Sequence, residues 1–170
     1  MPHSLPSLNA LDRPSFTAAL GHLFEHSPWV AEETWPEHPF RDAGHLHDEL
    51  CATMRAAPKT KQLALICAHP DLAGRLAQQN QLTVESTREQ ASAGLNAMSA
   101  TELATFQKLN ESYRTRFGFP FIICARLNAR DAILAAMQAR LGNSPETEFH
   151  TALGEIEKIA QLRLDDFLRN

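Results

Sequence analysis

The feature that most constrains this chain is the spacing of its apolar residues. It follows the three-and-four step of a helix nearly throughout, and the alternation of a half-buried strand is missing. Phe16, Leu20, Leu23 and Phe24 form one helical stripe that Pro14 can begin. Trp29, Val30 and Trp35 follow Pro28 as a second, short helix, and Leu46, Leu50 and Met54 mark a third, ended by Pro58. Residues 59–68 make a fourth, with Leu63, Ile66 and Cys67 apolar. It must stop by His69, because Pro70 disfavours helical geometry in the residue before it. Ser86-Thr-Arg-Glu89 has capping-box spacing and opens a fifth helix that ends near Gly94 or Asn96. Ser99-Ala-Thr-Glu102 repeats that signature before a longer helix with Leu103, Phe106, Leu109, Tyr113 and Phe117, stopped by Gly118. Asn128 caps a helix carrying Ile133, Met137 and Leu141, closed by Gly142. Ser144-Pro145 begins the last helix, which runs to about Leu168. Residues 119–125 would suit a strand, but no other β-branched run exists to pair with them, so buried extended chain is expected. Residues 71–85 read as a loop with a helical turn. The expectation is an all-α fold, a single-domain helical bundle of about eight helices over residues 1–170.

Charge and cysteine usage narrow the function. Sixteen Lys and Arg stand against twenty Asp and Glu, a formal net charge of −4, which makes no electrostatic case for nucleic acid. Apolar runs are too short to cross a membrane. Residues 1–10 lack the basic and apolar parts of a secretory signal, and Leu168-Arg169-Asn170 is not a peroxisomal address. Cys51, Cys67 and Cys124 cannot all pair and form no C-x-x-C unit, so a reducing, cytoplasmic setting is expected.

Two residues stand out chemically. The last helix carries the stripe Phe149, Leu153, Ile156, Ala160, Arg163, Phe167, so Arg163 sits where its neighbours are apolar. A buried guanidinium needs an anion, either a carboxylate of the protein or one brought by a ligand. The alternative is an arginine reaching out from the stripe edge, since Leu162 and Leu164 widen the stripe. His69, held extended before Pro70 and Asp71, has the side chain whose ordinary pKa suits proton transfer near neutrality. Taken alone, it reads more readily as a helix-terminal histidine favoured by the C-terminal dipole. A capping box accounts for Ser86 and Glu89, while the same helix start offers N–H groups to an anion and Gln90 adds an amide that donates and accepts. His22 and His26 fall at i, i+4, and His45-Leu-His47-Asp48-Glu49 is rich in potential ligands. Zinc needs three or four converging groups, and i, i+2 positions do not share a helix face, so no metal is expected. Nucleophile-elbow and phosphate-loop motifs are absent from the sequence. Cys67 is a weaker nucleophile candidate, since an apolar setting would raise its pKa.

At these residues the chain resembles the OHCU decarboxylase family (2-oxo-4-hydroxy-4-carboxy-5-ureidoimidazoline decarboxylase). The matching segments are Glu25-His-Ser-Pro-Trp29, Ala68-His-Pro-Asp-Leu-Ala73, Ser86-x-x-Glu-Gln90 with Ala93-Gly-Leu95, Asn110-Glu-Ser-Tyr-Arg-Thr-Arg-Phe-Gly-Phe-Pro-Phe121 and Ile159-Ala-Gln-Leu-Arg-Leu164. They run in order through nearly the whole chain. The resemblance implies an all-α fold, usually a homodimer, and a cofactor-free lyase acting late in urate breakdown. Its small-molecule substrate would be OHCU and its products (S)-allantoin and carbon dioxide. It further implies His69 as catalytic acid/base with Glu89 beside it, and Arg163 as the arginine that binds substrate. Pro70, Ser86, Thr87, Arg88, Glu89 and Gln90, with Phe119, Pro120, Phe121, Ile122 and Ile123, would shape the pocket. The chemistry is coherent without pyridoxal phosphate, thiamine or a metal, because the carbon bearing the carboxylate adjoins a ring C=N that can accept the electron pair. Two rivals make different demands. A non-catalytic helical module expects Arg163 paired to an internal carboxylate and no closed pocket near His69, and a cysteine hydrolase expects a reactive Cys67.

Overall fold

Local signals place most helix ends. The computed structural model describes residues 4–74, 77 and 79–169, and among these every regular element is helical. In chain order they are α1 (Leu5–Asn9), α2 (Arg13–Leu20), α3 (Trp29–Thr34), α4 (Ala43–Ala56), α5 (Lys59–Ala68), α6 (Val84–Ser92), α7 (Ala100–Phe117), α8 (Arg130–Arg140) and α9 (Pro145–Arg169). Two 3₁₀ turns, Trp35–Glu37 and Ala125–Leu127, follow α3 and precede α8. The all-α expectation holds.

Several ends fall where the sequence places them. Asp42 accepts from the His45 N–H at 2.8 Å and starts α4. Ser99 and Glu102 form the reciprocal capping box of α7, and Gly118, at φ 78°, closes it in the left-handed conformation that glycine adopts without strain. Other ends move. α2 stops at Leu20, and the Gly21 that follows lies so close to Pro28 that an added Cβ would lie 2.7 Å from the Thr17 carbonyl and 3.0 Å from the Pro28 Cβ. Leu23 and Phe24 are buried all the same, but in a turn, so His22 and His26 do not share a helix. Thr83, not Ser86, caps α6, its hydroxyl accepting from the Ser86 N–H at 3.2 Å. Asn128 caps nothing; its amide donates to the Cys124 carbonyl at 2.9 Å, and α8 starts after Ala129. On α5 the buried stripe is Gln62, Leu65 and Ile66, while Leu63 and Cys67 are exposed. Of the 71–85 loop, residues 75, 76 and 78 lie outside the described residues.

Internal packing divides the chain into two units, residues 1–68 with 157–170, and residues 69–156. In the first, α3 packs on α2 and α4, and Phe16 stacks on Phe40 at 5.7 Å between ring centroids. Its core includes Phe16, Leu20, Val30, Leu46, Leu50 and Leu164. In the second, α7 packs on α8 around Phe106, Tyr113, Phe121, Ile133, Met137 and Leu153. Among the described residues no helix is long and apolar enough to cross a membrane.

Candidate active site

His69 is the first residue after α5, and Pro70 keeps it from continuing the helix. It is buried, with 7% of its surface exposed, and the backbone that follows is tied down from two helices. From α6, the Gln90 amide accepts from the Ala73 N–H at 2.9 Å and donates to the Asp71 carbonyl at 3.4 Å. From α7, Asn110 donates to the Leu72 carbonyl at 2.9 Å, and Arg114 Nε reaches both Asp71 carboxylate oxygens at 2.9 and 3.1 Å. Loops near the surface are ordinarily the least constrained part of a domain. This one is held by three long side chains at successive residues.

Because Thr83 is the cap, Ser86 lies one turn inside α6 and does not form a capping box with Glu89. The two are helical neighbours on one face, with Ser86 buried and Glu89 half-buried. Thr87 and Arg88 are exposed, and the Thr87 hydroxyl donates to the Thr83 carbonyl at 2.8 Å. A cleft of about 500 Å³ beside α6 is lined by Thr87 and Gln90 together with Ala73, Ala91, Leu95 and Leu103, among others.

Phe119, Pro120, Phe121, Ile122 and Ile123 are all buried in extended chain without a strand partner, as the missing β-branched run implies. The segment meets α6 at its end, where the turn Ala125–Leu127 packs on that helix. Burial, followed by the charges of Glu155 and Glu89, pushes the Cys124 thiol pKa up. The second unit thus gathers the His69 loop, α6 and the apolar segment around one helix.

Arg163 belongs to the first unit. It is 4% exposed, so it does not reach out from the stripe edge. The anion it faces is a protein carboxylate: Nη2 lies 3.0 Å from Glu25 Oε2, and Nη1 donates to the His22 carbonyl at 3.2 Å. The turn after α2 is shaped for this, with His26 at φ 46°.

Sequence reasoning missed a second buried ion pair. Glu148, at the start of α9, is 0% exposed and accepts from Arg140 Nη2 at 2.9 Å, from Asn143 at 2.8 Å and from the Tyr113 hydroxyl. Burial pushes its pKa up, but the hydrogen bonds from Arg140, Tyr113 and Asn143 outweigh that and leave it below the ordinary value. Burial, then the Glu148 carboxylate, raises the Tyr113 pKa. The available signal was the run Glu148, Ala152, Ile156, which puts a carboxylate one turn before two buried apolar positions.

The ligand-rich stretch on α4 is used structurally. His47 Nε2 lies 2.9 Å from the Glu157 carbonyl and 3.3 Å from Cys51 Sγ. Burial, then Glu157 and Asp48, pushes the Cys51 thiol up to about 12, which leaves it protonated at neutrality. Among the described residues no three His, Cys, Asp or Glu side chains gather as a metal would need.

A model of the OHCU decarboxylase family matches residues 9–165. The chain belongs to this family of carboxy-lyases. It is similar to the 2-oxo-4-hydroxy-4-carboxy-5-ureidoimidazoline decarboxylase of Haloferax volcanii, with 45% identity over 95% of this chain and 94% of that protein. The Mus musculus protein of the same name is 41% identical, over 95% of this chain and 90% of its own length. The crystal structure of (S)-allantoin synthase superposes with a TM-score of 0.80 at 29% identity. That match covers 98% of this chain and 54% of the neighbour. The family match at residues 9–165 takes in residues of both units, and with them His69, Glu89 and Arg163.

Proposed function

We propose that this OHCU decarboxylase family member converts OHCU to (S)-allantoin and carbon dioxide without a cofactor. It would act late in urate breakdown, as a cytoplasmic homodimer in which residues 1–170 work as one functional domain. The observation that carries the reading is a buried imidazole, His69, followed by backbone that Gln90 and Asn110 hold in place. A general acid/base must be fixed within hydrogen-bond reach of the proton it moves, and a loop pinned on both sides supplies that fixity.

In this reading the bond between the ring carbon and its carboxylate breaks, carbon dioxide leaves, the electron pair forms a double bond to the neighbouring C=N carbon, and the ring nitrogen takes the displaced pair together with a proton from solvent. The hydroxyl on the same carbon loses its proton as that carbon becomes a carbonyl. One proton is then delivered to a single face of the neighbouring carbon, which becomes the stereocentre. His69 takes the hydroxyl proton and assists the reprotonation. Glu89 and Ser86 hold the hydroxy-imidazoline edge. Arg163 orients an anionic oxygen of the substrate, and Glu25 sets the plane of its guanidinium. The apolar side chains of residues 119–123 exclude water and weaken solvation of the departing carboxylate.

The ion pair between Arg163 and Glu25 is what a non-catalytic helical module would also contain. One experiment separates the two readings: mix the chain with freshly generated OHCU and follow circular dichroism. Catalysis gives an (S)-allantoin signal that grows faster than spontaneous decay. Decay at the uncatalysed rate to racemic product would leave the helical module as the better account.

A further inference from the structure

Residues 119–125 pose a backbone problem that the helices do not. They are buried, and up to Cys124 they lie outside any helix, with no strand among the described residues to satisfy their N–H and C=O groups. Side chains do this instead. Arg140 Nη1 donates to the Ile122 carbonyl at 2.8 Å, and the Cys124 N–H donates to Glu155 at 2.8 Å. The Arg140 guanidinium also lies 4.2 Å from the centre of the Phe121 ring, while its Nε and Nη2 bind Glu148 at 3.1 and 2.9 Å. One planar group therefore joins a buried carboxylate, a carbonyl and an aromatic face.

Stability alone is a weak reason to bury such a pair, since well-packed apolar residues often do as well or better. An apolar residue at 140 could not donate to a carbonyl, and a lysine would lack the fork and the flat face. We propose that Arg140 is a positioning residue for the reaction. Seated on Glu148, it fixes the Ile122 carbonyl and the Phe121 ring, and so the face that residues 119–123 present to the substrate. The role in the reaction rests on the proposed function, in which this segment shapes the pocket.

The test compares Arg140→Lys with Tyr113→Phe in the full chain. Tyr113→Phe removes one donor from Glu148 but leaves the bond from Arg140 to Ile122. Arg140→Lys keeps the charge beside Glu148 and loses that bond. The expected result for Arg140→Lys is a KM for OHCU raised roughly tenfold or more, since small misplacements are costly in a reacting site. Amide hydrogen exchange across residues 119–125 should be faster as well. Tyr113→Phe should leave both near the parent values. If Arg140→Lys is too unstable to study, the apolar double change Arg140→Met with Glu148→Leu removes the same bond without stranding a charge, and the same outcome is expected. An unchanged KM, unchanged exchange, or equal effects from Tyr113→Phe would each overturn the proposal. Should the parent chain fail to accelerate OHCU loss, the functional reading falls, while the exchange comparison still decides whether Arg140 holds the segment.

Discussion

Among the described residues two arginines pair with buried glutamates, Arg163 with Glu25 in the first unit and Arg140 with Glu148 in the second, and they are built differently. Glu148 sits within a cage of side-chain donors from Tyr113, Arg140 and Asn143, and Arg140 passes the constraint on to the backbone of Ile122. Arg163 instead leans on a turn, touching the Glu25 carboxylate and the carbonyls of His22 and Leu23. A carboxylate with its lone pairs filled by rigid neighbours behaves as a structural hub. The Arg163 guanidinium is the more enclosed of the two, its side chain 3% exposed against 12% for Arg140, and the turn it rests on includes the left-handed His26. The lesson is that the same two residue types can hold different things, a neighbouring segment at Arg140 and a turn at Arg163.

The contrast between the units can be broken most forcefully at His69. His69→Asn is expected to lower kcat for OHCU by roughly 10²–10⁴ while leaving thermal unfolding near that of the parent. Full turnover in that variant would remove the second unit's claim to the chemistry. Next in size is Glu148→Ala, which strands a buried guanidinium and should destabilise the fold by about 3–5 kcal/mol in urea titration. A loss below about 1 kcal/mol would show that Arg140 finds water or another anion, and that the cage is not the hub described above.

Arg163→Lys should raise KM roughly tenfold, about 1.4 kcal/mol, because lysine cannot reproduce a bidentate contact. Identical KM and kcat would leave Arg163 a purely structural partner of Glu25. The smallest expected effect is on acid stability. The folded pKa of Glu148 lies below its ordinary value of 4.5, so its contribution is complete above that value. The contribution fades as pH falls through the lowered folded value. Unfolding midpoints of Glu148→Gln measured between neutrality and strong acid should therefore converge on those of the parent at the acid end. Parallel curves would mean that this carboxylate is not what acid disrupts.

What was legible in the sequence follows the range of the interaction. Pro58, Pro70, Pro145, the Ser99–Glu102 box and Gly118 mark helix ends through forces acting within about one turn, and the structure agrees at each. Local rules failed where two of them competed. Thr83 and Ser86 are both good caps, and only the fold shows that the earlier one is used, which leaves Ser86 buried inside α6 rather than at its start. Leu23 and Phe24 kept their burial but lie past the end of the helix, because an apolar stripe reports which residues are buried and not where the backbone turns.

The chain by itself determined that this would be an all-α protein, that residues 119–125 would be buried without a strand partner, and that Arg163, if buried, would need an anion. Each of these follows from hydrophobic period, from the lack of a strand partner, or from the cost of burying charge. Only the tertiary structure decided that the anion is Glu25, 138 positions away, and that Gln90 and Asn110 grip the backbone after His69. It likewise decided that Arg140 and Glu155 bond the backbone of the segment that lacks a strand partner. A residue's need for a partner is written in its own chemistry and its near neighbours. The choice of partner depends on which distant segments the packed helices bring within about 3 Å.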